Sequence, residues 1–235
     1  NVEEEDYFVE LTADNYPFSS GGASVKKAFA LEISPQTQRN VQAKLLTPET
    51  MVPNQVIREG TVSLTESKLT VVRSCIKTGT LAASMRDSYE NIGRQRQLED
   101  MQEAINDEYP NVRLLDVGFH DDLFTNGDSV TYTYSYEAPD VLMQIGGLDI
   151  FKLPFADDLA STSMDFLSTE TRKYPIALWR YFRAEYAEET LRVKLSEGRQ
   201  FAEIPESLTY DHANAHYELR FTFDEATQEL VVTRR

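Results

Sequence analysis

Apolar and polar residues alternate along most of this chain, and one stretch in the middle departs from that rhythm. Thr61-Val62-Ser63-Leu64-Thr65 and Leu69-Thr70-Val71-Val72-Arg73-Ser74-Cys75-Ile76 alternate on either side of Glu66-Ser67-Lys68, a pattern that predicts a β-hairpin. After Gly79 the apolar spacing becomes helical, at Leu81, Met85, Tyr89 and Ile92 and again at Leu98, Met101 and Ile105. A helical region is therefore expected over about residues 81–108, divided at Gly93 and ended by Pro110. Strands resume at Val112 to Phe119 and at Ser129 to Glu137; in the second, Val130, Tyr132, Tyr134 and Tyr136 share one face and Thr131, Thr133 and Ser135 the other. Val141 to Ile145 and Leu148 to Leu153 follow, and the polar stretch from Ala156 to Thr171 reads as a loop and a boundary. Beyond it, Ile176 to Tyr186, Thr190 to Leu195, Phe201 to Ile204, Ala215 to Phe223 and Glu229 to Thr233 have the spacing of a short-stranded antiparallel sandwich or meander. The start of the chain reads as an alternating edge strand, Tyr7 to Thr12, a proline turn through Asn15-Tyr16-Pro17-Phe18, and a further β-like segment, Ala28 to Ile33.

These patterns predict an α+β, mostly β protein of antiparallel, sandwich-like units with one helical region. Three segments are expected: residues 1–24 as an edge strand and linker, 25–155 as a β-rich unit holding the helices, and 156–235 as a C-terminal antiparallel unit.

Composition fits a folded module, since 235 residues with 41% hydrophobic and 11% aromatic content can bury a sizeable core. A net charge of −16 with scattered basic pairs argues against nucleic acid or an anionic membrane surface as partner, because both need clustered Lys and Arg. One cysteine, Cys75, excludes an internal disulfide framework. No apolar run is long enough to span a bilayer, so no membrane insertion is expected. The first residues show no signal peptide, an absence without weight for a chain preceded by an upstream domain. No cofactor is expected.

Four sets of residues carry candidate chemistry. The order Cys75, His120, Asp128 copies that of a cysteine-nucleophile triad, in which imidazole takes the thiol proton and a carboxylate fixes the tautomer. Such a nucleophile needs a helix N-terminus or a nearby cation, and Cys75 falls in mid-strand, which favours a packed sheet residue. His212 and His216, beside Asp211 and Asn214, have the spacing of two zinc ligands on a helix, but their flanks read as strands, which puts them across a hairpin loop, facing each other. Tyr132, Tyr134 and Tyr136, with Trp179, offer either a carbohydrate or peptide platform or the inner face of a sheet. Asp121, Asp122, Asn126 and Asp128 bring oxygen ligands without the spacing and glycine of a calcium loop.

Tyr7-Phe8-Val9-Glu10-Leu11-Thr12 running into Pro17-Phe18 resembles the last strand of a transglutaminase-like catalytic core, where that family writes an acid-x-Thr motif and leaves by a Pro-Phe turn. Gly60-Thr61-Val62-Ser63-Leu64, Thr78-Gly79 with Arg86, Arg172-Lys173-Tyr174-Pro175-Ile176, Leu195-Ser196-Glu197-Gly198, Ile204-Pro205-Glu206-Ser207 and the closing Val231-Val232-Thr233-Arg234-Arg235 resemble the region that follows the core in bacterial members. The resemblance implies a non-catalytic accessory or recognition region of an exported bacterial protein, in the periplasm or at the cell surface, with the catalytic core upstream as its partner. Glu10 stands at the position of the family's histidine-orienting acid, with Glu in place of Asp. A homodimer through the orphaned N-terminal strand is a further expectation. The other readings are a stand-alone carbohydrate- or peptide-binding β module and a cysteine-dependent enzyme using Cys75.

Overall fold

The computed structural model describes residues 15–17, 29–32, 42–45, 52–65, 68–106, 111–156, 184–213 and 215–235. Glu10, Trp179, the first predicted strand and the polar stretch beyond 156 lie outside the described residues. The fold is α+β and mostly β, as the sequence pattern predicts.

A short hairpin of β1 (Phe29–Glu32) and β2 (Gln42–Leu45) comes first. Then β3 (Gln55–Thr65) and β4 (Lys68–Thr78) form the predicted hairpin, extended at both ends. The helical region is two helices, α1 (Thr80–Tyr89) and α2 (Arg94–Ile105), and Gly93 at their junction is the divider the sequence marks. β5 (Arg113–Phe119), a 3-10 turn (Asp121–Phe124) and β6 (Ser129–Ala138) follow. A small hairpin, β7 (Met143–Ile145) and β8 (Leu148–Ile150), turns on Gly146 and Gly147, both at positive φ as such a tight turn requires. The chain closes with β9 (Tyr186–Leu195), β10 (Leu208–His212), β11 (Ala215–Asp224) and β12 (Glu229–Arg234).

Eight of these strands make one sheet in the order β10-β11-β12-β9-β3-β4-β6-β5. All junctions are antiparallel except β9 against β3, which is parallel in the register Arg58↔Glu189 and Gly60↔Leu191. Strands on both sides of the polar stretch are therefore neighbours in a single mixed sheet. The segment Phe201 to Ile204, predicted as a strand, is not one; Pro205 follows it, and Phe201 instead meets Phe223 edge-on with ring centroids 5.7 Å apart.

The sheet buries one face. Register gives a row across all eight strands, Leu208, Leu219, Arg234, Glu189, Arg58, Cys75, Tyr132 and Phe119, and a parallel row through Val232, Leu191, Gly60, Arg73, Tyr134 and Val117. The other face carries Glu59, Thr61, Val72 and Ile76, all exposed, the alternation of an antiparallel sheet wetted on one side. Two elements cover the inner face. Ala82, Met85 and Tyr89 of α1 and Met101 and Ile105 of α2 are buried against the β4-β6-β5 end. Over the β4 to β12 end lies a non-helical strap, Phe151 to Ala156, whose Pro154 and Ala156 are buried.

Candidate functional site

Alternation places charged side chains at four inward positions: Arg58 on β3, Arg73 on β4, Glu189 on β9 and Arg234 on β12. Arg73 is 0% exposed, and Arg58 and Glu189 are each 2% exposed. Charges this deep are sustained only when paired and hydrogen-bonded. Arg73 Nη2 lies 3.0 Å from Glu189 Oε1, and Arg234 Nη2 lies 3.1 Å from Glu189 Oε2. Arg73 Nη1 donates to the Tyr134 hydroxyl at 2.6 Å, and Nη2 donates to the Pro154 carbonyl. Glycine at position 60 makes room for Leu191 beside the cluster, because a Cβ there would stand 2.9 Å from Leu191 Cδ2 while only touching Arg73 Nε at 3.8 Å.

The cluster holds the strap by its backbone. The Ala156 N–H donates to Glu189 Oε2 at 3.2 Å, Arg234 Nη2 donates to the Ala156 carbonyl at 2.7 Å, and the Arg234 guanidinium sits 4.5 Å from the Phe155 ring centroid. Burial pushes the Glu189 carboxyl up from its ordinary value, and Arg73, Arg58 and Arg234 pull it back without cancelling the rise. Chemically this set clamps a peptide segment onto a sheet; it offers no reacting group to solvent.

A third buried arginine, Arg86 of α1, ties three elements together by donating from Nη2 to the carbonyls of Asp122, at 3.1 Å, and Ser129, at 2.8 Å. Burial lowers its pKa, opposed by Asp122, Glu90 and Asp128. Of those aspartates, Asp122 lies in the 3-10 turn and Asp128 directly before β6. Among the described residues, no three His, Cys, Asp or Glu side chains gather as a metal-holding group.

The tyrosine stripe belongs to the core. Tyr132, Tyr134 and Tyr136 are buried, and with Tyr89 and Phe119 they form a ladder in the order Tyr89, Phe119, Tyr132, Tyr134, Tyr136, with successive centroids 4.7, 5.8, 6.0 and 6.2 Å apart. Burial first, and Cys75 next, push the Tyr132 phenol well above its ordinary value. Their rings face the interior of the fold and not solvent.

Cys75 is 0% exposed and lies in the inner-face row between Arg58 and Tyr132. His120 is exposed just past β5, at one edge of the sheet. His212 and His216 are exposed on the β10–β11 hairpin, at the other edge. The expected facing of these two histidines needs correcting. The paired residues are Asp211↔His216 and His212↔Ala215, so the histidines are diagonal neighbours on opposite faces of the hairpin. His216 Nδ1 pairs instead with Asp211 Oδ1 at 2.6 Å.

A cavity of about 180 Å³, lined by Leu195, Glu197, Arg199, Phe201 and Gln228 among others, sits beyond the end of β9 and holds none of these candidates. Ligand pockets run from roughly 300 Å³ upward. Sequence reasoning missed the buried charge cluster, although its signal was there: Leu69, Val71, Arg73 and Cys75 share a face, and the arginine interrupts an apolar alternation. The arrangement defines an α+β protein built on a one-sided mixed sheet with a charge-clamped strap. Comparison with protein-family models, curated proteins and solved structures finds no match.

Proposed function

We propose that this chain is a non-catalytic accessory or recognition region of a transglutaminase-like protein, working beside an upstream catalytic core in the bacterial periplasm or at the cell surface. The observation that carries the reading is the setting of Cys75. A cysteine nucleophile needs a partly exposed thiol with imidazole in hydrogen-bond reach, whereas Cys75 is sealed inside the sheet and the three histidines are exposed on or beside its edge strands, His120 just after β5 and His212 and His216 on the β10–β11 hairpin. The strongest ionic groups are spent on architecture, Glu189, Arg73 and Arg234 on the strap and Arg86 on the helix layer. A rigid sheet of this kind suits a role in supporting or presenting.

The test has a genetic and a biochemical arm. The coding sequence upstream of Asn1 should encode a core with a cysteine followed by a histidine, and that core, supplied separately, should bind this chain in a titration. A Cys75→Ser chain should bind as the parent does. An upstream sequence without such a core removes the parentage, and amine incorporation or peptide cleavage that disappears with Cys75→Ser overturns the non-catalytic role.

A further inference from the structure

The two edges of the large sheet are treated differently. At the β5 edge the register slips between Leu114 and Asp116, a bulge that breaks the ladder, and Arg94 of α2 pairs with Asp116. Such devices protect an edge from further pairing. At the other edge, β10 has neither a bulge nor a strand on its outer side among the described residues. All five of its residues are exposed, and they include Leu208 at 56% and Tyr210 at 61%, with Tyr217 of β11 opposite Tyr210 at 37%.

We propose that β10 is an interface at which a second copy of this chain adds its own β10, antiparallel, about a twofold axis at Tyr210. The backbone direction fits. In a two-residue hairpin the closing pair, here His212 and Ala215, exchanges hydrogen bonds, so Leu208, Tyr210 and His212 turn their N–H and C=O groups toward β11. Thr209 and Asp211 therefore turn theirs outward. About the axis, Thr209 of one copy meets Asp211 of the second, the two residues whose outward groups need partners, and Tyr210 meets Tyr210 as a close, non-hydrogen-bonded pair.

The side chains fit as well. Leu208 faces His212 of the second copy and Thr209 faces Asp211, so no like charges stand directly opposite, which is the arrangement an antiparallel pair requires. Leu208, Tyr210 and Tyr217 lie on the side that continues the buried face of the sheet, and the pairing sets two such apolar ends side by side. Five residues of pairing cover on the order of 500 Å² per copy, below the roughly 800 Å² per partner of a stable complex, so the dimer is weak and concentration-dependent. With −16 on each chain, added salt strengthens it by screening. This interface is separate from the accessory role proposed above and stands whether or not a catalytic core exists.

The experiment is sedimentation velocity of the intact chain from about 10 µM to about 1 mM, with variants that act only at the edge. Thr209→Pro removes an outward N–H and leaves the pairing with β11 intact, and Tyr210→Lys sets two ammonium groups on the axis. The parent's weight-average mass should climb toward twice the monomer, more at high salt. Both variants should remain monomeric with unchanged melting temperatures. A cross-link gives a second readout, since Cys75 is buried and Tyr210→Cys adds an accessible thiol. Non-hydrogen-bonded partners bring Cα atoms to about 4.5 Å, within disulfide reach, so mild oxidation should link Tyr210→Cys chains and should link Asp211→Cys chains at least tenfold less. A parent that stays monomeric at about 1 mM, variants that associate like the parent, or equal cross-linking at both positions overturns the proposal.

Discussion

Replacing Gly79 by alanine tests the point at which the sheet hands the chain over to the helix layer. Gly79 has φ +62° and ψ −134°, the mirror image of extended backbone, a region that residues with a Cβ scarcely enter. A Cβ there would collide with Asn54 Oδ1 and lie 3.0 Å from the Pro53 carbonyl oxygen and 3.1 Å from that of Val52. Asn54 Oδ1 is the group that caps α1 from outside, accepting from Thr80 N at 2.8 Å and from Thr80 Oγ1 at 3.0 Å. The substitution therefore adds backbone strain of about 1–3 kcal/mol and disturbs a cap worth about 1 kcal/mol. A total loss of about 2–4 kcal/mol lowers the melting temperature of a chain this size by about 10 °C. Thermal and urea unfolding measure it. Asn54→Ala alone should cost about 1–2 kcal/mol, and because it also removes the atom the new methyl strikes, the double variant should cost less than the sum of the singles. A Gly79→Ala loss under about 1 kcal/mol, or strict additivity with Asn54→Ala, would falsify the account.

At the charge cluster, Glu189→Ala strands Arg73 and Arg234 and should cost roughly 3 kcal/mol or more, with Glu189→Gln well under that. Because burial raises the Glu189 pKa, its contribution is complete below the unfolded value and fades as pH rises toward the folded one; urea titrations of parent and Gln variant should therefore converge with rising pH. Glu137 has the opposite sign. Lys68 first and Arg113 second hold its carboxyl below the usual range, so its contribution is present above the unfolded pKa and is lost as pH falls through the folded one; parent and Glu137→Gln melting curves should converge in acid, and parallel curves would refute it. Cys75 should react with a thiol reagent only as fast as the chain unfolds, and rapid modification of the native protein would contradict its sealed position.

Much of this fold was legible because it obeys short periods. The hairpin of β3 and β4, the change to helical spacing after Gly79, the break at Gly93 and the alternation of β6 each follow from residues within one element. Phe201 to Ile204 misled because a short apolar segment before a proline satisfies a strand pattern without a strand to pair with. The parallel pairing of β9 with β3 was not legible, since it joins Gln55 to Tyr186 and rests on side chains far apart in sequence. The two histidines misled for a related reason. A loop reading fixes their distance, whereas the register of Asp211 against His216 decides which face each side chain takes.

The inner face also shows why the site and the fold cannot be separated here. Cys75 and Tyr132 sit in the middle of a row that is aromatic toward β5 and ionic toward β12. The aromatic half is covered by helices whose Met85, Tyr89, Met101 and Ile105 match it in character. The ionic half needs hydrogen-bonding partners that an apolar helix face does not provide, and the irregular strap provides them through the Pro154 and Ala156 carbonyls and the Ala156 N–H. A segment without regular structure has backbone groups to spare, which is why it lies over the charges and the helices do not. The residues that looked most chemical in the sequence divide accordingly: Cys75 and the three tyrosines are sealed between the sheet and its covers, whereas His120, His212 and His216 stand exposed at the sheet's edges. Among the described residues, β10 is the unprotected edge of the large sheet, with its outward backbone groups open to another molecule.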